Sequence, residues 1–327
     1  MKYIDNVYGE TEISEPVILE LIGSPTFRRL KGISQFGYIA DRSLWGAHSR
    51  FDHSLGVSLL LKKYGASLEE QIAGLIHDVS HGVFSHCIDY VLAEGFEKEQ
   101  KHQDSILNDF VMRSEIPVIL EKYGINEEFI LDDKNFPLKE KDLPDLCADR
   151  IDYSLRDAIE CGEIRGKESQ NFLDKLLIND NAWIFGDFSI AKHYCELFSK
   201  MNSKYYCGLS TALMFGTVGN YLKRALDKGY ILKDDLYTTE EKVLAKIALF
   251  IEKDKQLGLF FDRMNRKVDI SEDKDDYDMH IFCKSRAVDP LFRDGSKIKR
   301  VSEVDEQWRT MLEKELAPKE YFIKFNN

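Results

Sequence analysis

The sequence predicts a mainly α protein, with a helical domain over residues 1–232 and a smaller C-terminal α+β lobe over residues 233–327. Three observations lead there. Between about residues 15 and 230, apolar residues recur at i, i+3, i+4 spacing, the period of one helix face. Beyond about residue 230, short strand-like segments separated by turn residues take over. A content of 43 % hydrophobic and 12 % aromatic residues in a chain of 327 is that of a globular protein with one large core or two unequal ones.

Along the chain, Gly65 ends one helix, and Ser67-Leu68-Glu69-Glu70 then has the form of a capping box opening the next. That helix carries the stripe Ile72, Leu75, Ile76 and Val79, with Gly82 expected to end or bend it. "VFSHCIDYVLAEGF" (83–96) reads as the start of a new helix. Residues 143–161 form another, with Cys147, Ile151, Leu155 and Ala158 facing the core and Asp149, Tyr153 and Asp157 opposite. A strand-like "AWIFGD" (182–187) precedes the helical "FSIAKHYCELFSKM". The acidic "SEDKDDYD" (271–278) reads as a solvated loop. "MHIFCKSRAVDPLF", "SKIKRVSEV" and "EYFIKF" read as strands, with Asp294-Gly295 as a tight hairpin turn between the first two.

Composition excludes several roles. A formal charge of −12 gives a surface that repels nucleic acid and anionic membranes, leaving room for a local basic pocket that takes a small anion. No apolar run reaches the roughly 18 residues of a membrane span. "MKYIDNVYGE" carries acids early and lacks the apolar stretch of a signal peptide. The six cysteines are scattered without a CxxC pair, as expected of reduced thiols in a cytoplasmic protein.

The chemistry concentrates in "LIHDVSHGVFSHCIDY" (75–90), which holds three of the eight histidines beside two aspartates in apolar surroundings. A His-Asp pair by itself is usually a surface ion pair, but a buried unpaired polar group costs about 1–3 kcal/mol, so a cluster of this kind calls for a purpose. His77 and Asp78 point about 100° apart on a helix and can bracket a divalent metal only if other elements complete the set. His53, in "HSRFDHSLGV" (48–57), and Asp149 are the candidates. His86 and Asp89, at i, i+3, suit an imidazole oriented by a carboxylate. His102, in "EKEQKHQDS", reads equally as catalytic or surface. His81 has three readings: hydrogen-bond partner to a metal ligand, structural hydrogen bonder, or phosphate contact. Arg50 can offer a guanidinium fork to phosphate, or pair with Asp52.

"HSRFDHSLGV", "AGLIHDVSHGVFSH" and the later "ADRIDY", in this order, resemble the HD-domain phosphohydrolases, and within them the deoxynucleoside triphosphate triphosphohydrolases that include bacterial dGTPases and the vertebrate sterile-alpha-motif/HD enzyme. The resemblance implies a helical HD domain and a divalent metal (Mn, Mg, Fe, Ni, Co or Zn) held by His53, His77, Asp78 and Asp149. It further implies acid–base work by His86, Asp89 and His102, and substrate contacts from Gln35, Arg50, His81, Arg150, Tyr153, Asp157 and Tyr206. The implied reaction is hydrolysis of a dNTP to deoxynucleoside and triphosphate. Because members of that family assemble, a homo-oligomer with the C-terminal lobe in its interface is a further expectation.

One segment departs from the pattern. The resembling enzymes bring another arginine and a histidine to the triphosphate ahead of a tyrosine, whereas "ELFSKMNSKYYCG" (196–208) has Phe198 and Asn202 there in an ungapped alignment. Lys200 or Lys204 can substitute only as point charges, and Tyr205-Tyr206 reads equally as core aromatics. Lys284 and Arg286 share one face of a strand, either solvated, or contacting an anion or a second subunit. A nucleoside 5′-monophosphatase is therefore the nearest alternative. A phosphodiesterase, a nucleotide-binding regulator without turnover and a di-iron oxygenase are the more distant ones.

Overall fold

The computed structural model describes residues 1–40, 48–92 and 100–326. The chain opens with a hairpin the sequence did not announce, β1 (Lys2–Asp5) paired antiparallel with β2 (Gly9–Glu12). Its turn is made by Asp5, whose carboxylate accepts the Val7 and Tyr8 N–H groups at 2.7 and 3.0 Å, and by Gly9 at φ 74°. After α1 (Pro16–Gly23) comes the central helix α2 (Arg50–Lys63). Ser49 and Asp52 cap α2 reciprocally, and Gly65, at φ 75°, follows its last turn. Almost every α2 residue from Arg50 to Leu61 is buried, because neighbours cover the helix on all sides. Each fully buried leucine, such as Leu60 and Leu61, contributes about 1.5–3 kcal/mol of transfer free energy.

Helix α3 (Leu68–Ile76) packs along α2. Ser67 caps it, but Glu70 does not close the box; its carboxylate accepts the Leu138 and Lys139 N–H groups at 2.8 and 3.0 Å. The helix ends at Ile76, earlier than its apolar stripe suggests, and residues 77–82 continue as tight turns. The helix expected over residues 83–96 is instead a 3-10 turn, Ser85–Ile88, followed by the single turn Asp89–Leu92, while residues 93–96 fall outside those described. The turn begins with Phe84 and Ser85 at φ 60° and 48°, a left-handed conformation uncommon for such residues and held here by burial of both side chains.

Then follow α4 (His102–Met112), α5 (Ile116–Lys122), α6 (Ala148–Glu160) and α7 (Gly166–Lys175). Helix α6 starts after the stretch 143–147, shorter at its N-terminus than expected. Strands β3 (Leu176–Asn179) and β4 (Ala182–Phe185) lead to α8 (Phe188–Met201), which runs on into a π-helical turn, Asn202–Tyr206. The long α9 (Leu209–Asp227), α10 (Glu240–Ala248) and α11 (Lys255–Met264) precede the remaining strands. These are β5 (Asp269–Glu272), β6 (Met279–Cys283), β7 (Leu291–Asp294) and β8 (Lys297–Arg300), with α12 (Glu306–Glu315) before β9 (Lys319–Asn326).

The Asp294-Gly295 turn joins β7 to β8 as the sequence suggested, with Gly295 at φ 61°. Three expectations for this region change: "MHIFCKSRAVDPLF" splits into β6 and β7, with residues 284–290 in neither strand, so Lys284 and Arg286 do not share a strand face. The acidic 271–278 segment contributes its first two residues to β5, which pairs with β9, and "SKIKRVSEV" turns helical after Arg300. Two features bridge the expected boundary at residue 232. Strand β4 pairs in parallel with β7, and Met279, Ile281 and Ile323 of the β5-β9-β6 sheet share a core with Val218 and Tyr221 of α9. The smaller lobe is thus built onto the helical one, and its connecting segments reach the helical domain's interior. Among the described residues, no helix is long and apolar enough to cross a membrane.

Candidate metal centre and pocket

His53 lies one turn into α2, His77 and Asp78 follow α3, and Asp149 sits in the first turn of α6, so three separate elements deliver four side chains to one point. His53 Nε2 is 2.9 Å from Asp149 Oδ1 and 3.7 Å from Asp78 Oδ2, and His77 Nε2 is 3.4 Å from both Asp78 Oδ1 and Asp149 Oδ1. The rings are fixed from behind. His53 Nδ1–H donates to Asp152 Oδ1 at 2.8 Å, and His77 Nδ1–H donates to the Gly74 carbonyl at 2.7 Å. The second bond occupies an acceptor that a continuing helix would use for Asp78 N–H, which accounts for the helix ending before the ligands.

The donor set fits a divalent cation. The buried His77 Nε2 atom faces only the Asp78 and Asp149 carboxylates at 3.4 Å among the contacts of the described residues, and His53, His77 and Asp149 converge closely enough to share an ion. Burial opposes charging His53, yet Asp149 and Asp152 outweigh it and raise its pKa to about 10. Burial also opposes ionisation of Asp78, but Arg50, His77 and His81 hold its carboxyl well below the usual range, and His53 and His77 do the same for Asp149. The cluster thus attracts positive charge to its centre, a demand that a divalent ion meets.

Residues outside the sequence expectations hold this arrangement in place. Asp152 also binds Arg156 Nε and one terminal nitrogen, both at 2.9 Å, and accepts the Tyr8 hydroxyl at 2.8 Å. Arg156 reaches Asp5 at 3.0 Å, so the N-terminal hairpin braces a metal ligand. Gly56 leaves room for the pair: a Cβ there would lie 2.1 Å from both Arg156 and Asp152. Asp152 and Arg156 stand at i, i+4 on α6, and both are buried.

A pocket opens beside the cluster. Six expected residues line it: Gln35, Arg50, His86, Tyr153, Asp157 and Tyr206. Arg50 donates to Asp78 at 2.7 Å and to the Ser85 hydroxyl at 2.9 Å, so it joins metal centre and pocket. His81 lies between them, with Nε2 3.3 Å from Asp78 Oδ1 and its ring edge-on to His86 at 5.2 Å. Burial and the Arg50 charge push the His81 pKa down to about 3, keeping it neutral. His86 Nδ1–H donates to Asp89 at 3.1 Å, and the other Asp89 oxygen accepts the His102 backbone N–H at 3.0 Å.

The remaining expected residues sit elsewhere. The His102 ring bonds the Tyr237 hydroxyl at 2.8 Å and is not among the side chains lining the pocket. Arg150 is turned toward the stretch before α6, where it donates to the Lys141 and Asp145 carbonyls at 3.1 and 2.6 Å, and it does not line the pocket either. Lys200 and Lys204 pair with Glu163, away from the cavity. Tyr205 and Tyr206 both line it, Tyr206 with its ring against Tyr153 at 5.5 Å. Reasoning from sequence missed His48, whose Nε2 is 3.1 Å from Asp157 Oδ1, and Gln100 in the pocket wall, where Arg286, one of whose readings was an anion contact, also lies. His48 opens the same "HSRFDHSLGV" stretch, and Arg286 stood in the alternating Lys284/Arg286 pattern.

The HD domain family model matches residues 50–115, a stretch that includes His53, His77, Asp78 and His102. The uncharacterized protein YdhJ of Bacillus subtilis is 36 % identical over 331 residues, covering 99 % of either chain. The metal-dependent phosphohydrolase cns2 of Cordyceps militaris is 37 % identical over 172 residues, 53 % of this chain and 49 % of that protein. The deoxynucleoside triphosphate triphosphohydrolase SAMHD1 of Mus musculus is 32 % identical over 147 residues, 38 % of this chain and 22 % of that one. This chain therefore matches YdhJ from end to end, but half of cns2 and less of SAMHD1. A phosphohydrolase from Bacteroides thetaiotaomicron has the same fold, with a TM-score of 0.71 at 17 % identity over all of both chains. A chain with these motifs, this helical fold and this convergence of histidines and aspartates is a member of the HD-domain family of metal-dependent phosphohydrolases.

Proposed function

We propose that this hydrolase acts on nucleotides, converting a dNTP and water into a deoxynucleoside and triphosphate. The observation that carries this reading is the pocket wall next to the metal ligands. Gln35 Oε1 is buried there with no hydrogen-bond partner among the described residues, beside the Asp157 carboxylate, the Tyr206 hydroxyl, Tyr153 and Arg50. These polar groups suit a ligand bearing its own hydroxyls, and the tyrosine rings suit the flat faces of a sugar and base. The activity in SAMHD1's name supports the choice of substrate.

A divalent ion held by His53, His77, Asp78 and Asp149 supplies Lewis-acid activation of water and phosphoryl oxygen. The chain's own groups do the rest. Arg50 retains N–H donors for a phosphate oxygen beyond those given to Asp78 and Ser85. His86, oriented through Nδ1 by Asp89, has Nε2 left to protonate the departing 5′-oxygen as the phosphorus–oxygen bond breaks. Burial lowers the His86 pKa, with Arg50 and Arg286 adding to the effect and Asp89 opposing it. A polyphosphate beside those cations cancels their repulsion and raises the ring's affinity for the proton it must give up.

Phe198 and Asn202, where the resembling enzymes have an arginine and a histidine, favour a nucleoside monophosphate as the second reading. The six free thiols support a cytoplasmic location. The test is incubation of the metal-loaded protein with a panel of dNTPs, NTPs and dNMPs and chromatographic separation of the products. Triphosphate with deoxynucleoside supports the proposal. Orthophosphate from dNMPs selects the second reading, and no turnover with any tested metal overturns both.

A further inference from the structure

The residues after β6 run beside the pocket, and Arg286 is fixed there by its neighbours. Its backbone N–H donates to Asn202 Oδ1 at 2.9 Å, while Asn202 Nδ2 donates to the Ser285 hydroxyl at 2.9 Å, which in turn donates to the Glu315 carbonyl at 2.5 Å. The guanidinium lines the pocket and, among the described residues, bonds only neutral oxygens, Gln100 Oε1 at 2.9 Å and the Lys284 carbonyl at 3.3 Å. Of the other arginines near the site, Arg50 has Asp78, Arg156 has Asp152 and Asp5, and Arg150 has Glu140, while Arg29 gives its N–H groups to the Val79, His81 and Thr238 carbonyls and does not line the pocket. In a chain of 57 acidic and 45 basic residues, a guanidinium that lines the pocket and has no acid partner among the described residues can meet an outside anion there.

Two further observations point the same way. Gln100 is 4 % exposed, and its buried amide oxygen fixes the Arg286 guanidinium at the pocket wall. Lys284 is a second cation close by, its pKa pushed down to about 8 by burial and then by Arg286, with Asp104 only partly compensating. Asn202 stands where the resembling enzymes have a histidine, and its amide holds the Arg286 segment instead. We propose that Arg286, presented by the C-terminal lobe and steadied by Asn202 and Gln100, grips the phosphate chain of the substrate. The inference rests on the nucleotide reading of this pocket and makes the C-terminal lobe part of the binding site.

The experiment is calorimetric titration of inorganic tripolyphosphate, supplied as its magnesium complex, into metal-loaded wild type, R286M and R286K, with melting curves for all three. Wild type binds, R286M binds about 10- to 100-fold more weakly, and R286K, a point charge without the fork, falls between them. R286M with unchanged affinity, or wild type that takes up no tripolyphosphate, overturns the proposal. If R286M fails to fold, R286K carries the test, and wild-type affinity in R286K overturns the fork. The nucleotide reading fails separately: dNTPs left intact by a protein whose tripolyphosphate binding depends on Arg286 would retire that reading and keep the anion site.

Discussion

Asp152 accepts the His53 Nδ1–H at 2.8 Å while both of its oxygens are bound to Arg156. That bond fixes the imidazole tautomer and turns Nε2 toward Asp78 and Asp149. The carboxylate that orients the ligand is therefore as much a part of the centre as the ligand itself.

Replacing Asp152 with Asn keeps the shape and removes the charge that fixes the tautomer. The expected result is a metal affinity about 10- to 100-fold weaker, measured by competition with a chromogenic chelator. Unchanged affinity would mean that His53 needs no carboxylate behind it.

Asp89 counters the burial that holds the His86 pKa below the usual histidine value. A general acid works in its protonated form, so kcat/KM declines as pH rises through the free-enzyme pKa. Bound polyphosphate raises that pKa, so the alkaline limb of kcat lies at higher pH than that of kcat/KM. In Asp89→Asn the limb moves to lower pH, and turnover at pH 7 drops about 100-fold. A pH–rate profile of the variant superimposable on wild type would remove His86 from the acid role.

Glu163 ties the Tyr205 hydroxyl and the Lys200 and Lys204 ammonium groups to the stretch after α6, and the two lysines and the tyrosine lower its pKa to about 2. A carboxylate whose pKa is lower in the folded state stabilises the fold above its unfolded value and loses that contribution as pH falls through the folded one. Wild type therefore loses stability between about pH 4.5 and pH 2 from this group. Chemical unfolding of Glu163→Gln across that window should show a shallower decline with acidification. An identical slope would dismiss the cluster as a stabilising contact.

Local signals carried much of the fold. Ser49 with Asp52, Ser67, Gly65 and Asp294-Gly295 act through neighbours a few residues away, so their caps and turns could be read from sequence. His77 and Asp78 stood out as candidate ligands because His-Asp beside further histidines is rare in apolar surroundings, and the family resemblance joined His53 and Asp149 to them. What escaped depends on distant partners. The apolar stripe through Val79 hid the end of α3, because that end depends on the His77 ring taking the Gly74 carbonyl. The β1–β2 hairpin has strands of only four residues, too short for a clear alternation, and its value lies in Tyr8 and Asp5 reaching α6. Arg286 looked like one residue of a solvated strand face because Asn202 and Gln100, which hold it at the pocket, are far from it in sequence. For Arg150 the family resemblance implied a substrate contact, and in the structure its guanidinium donates to the Lys141 and Asp145 carbonyls ahead of α6.

Hydrolysis of a dNTP in water enriched with ¹⁸O, followed by mass spectrometry of both products, tests the central claim most directly. Attack of water on the phosphorus next to the sugar, with His86 protonating the 5′-oxygen, predicts one heavy oxygen in the released triphosphate and none in the deoxynucleoside. The His77→Ala, Asp78→Ala double variant should yield neither product. Labelled orthophosphate with a nucleoside diphosphate, label in the sugar, or full activity in the double variant would contradict the account.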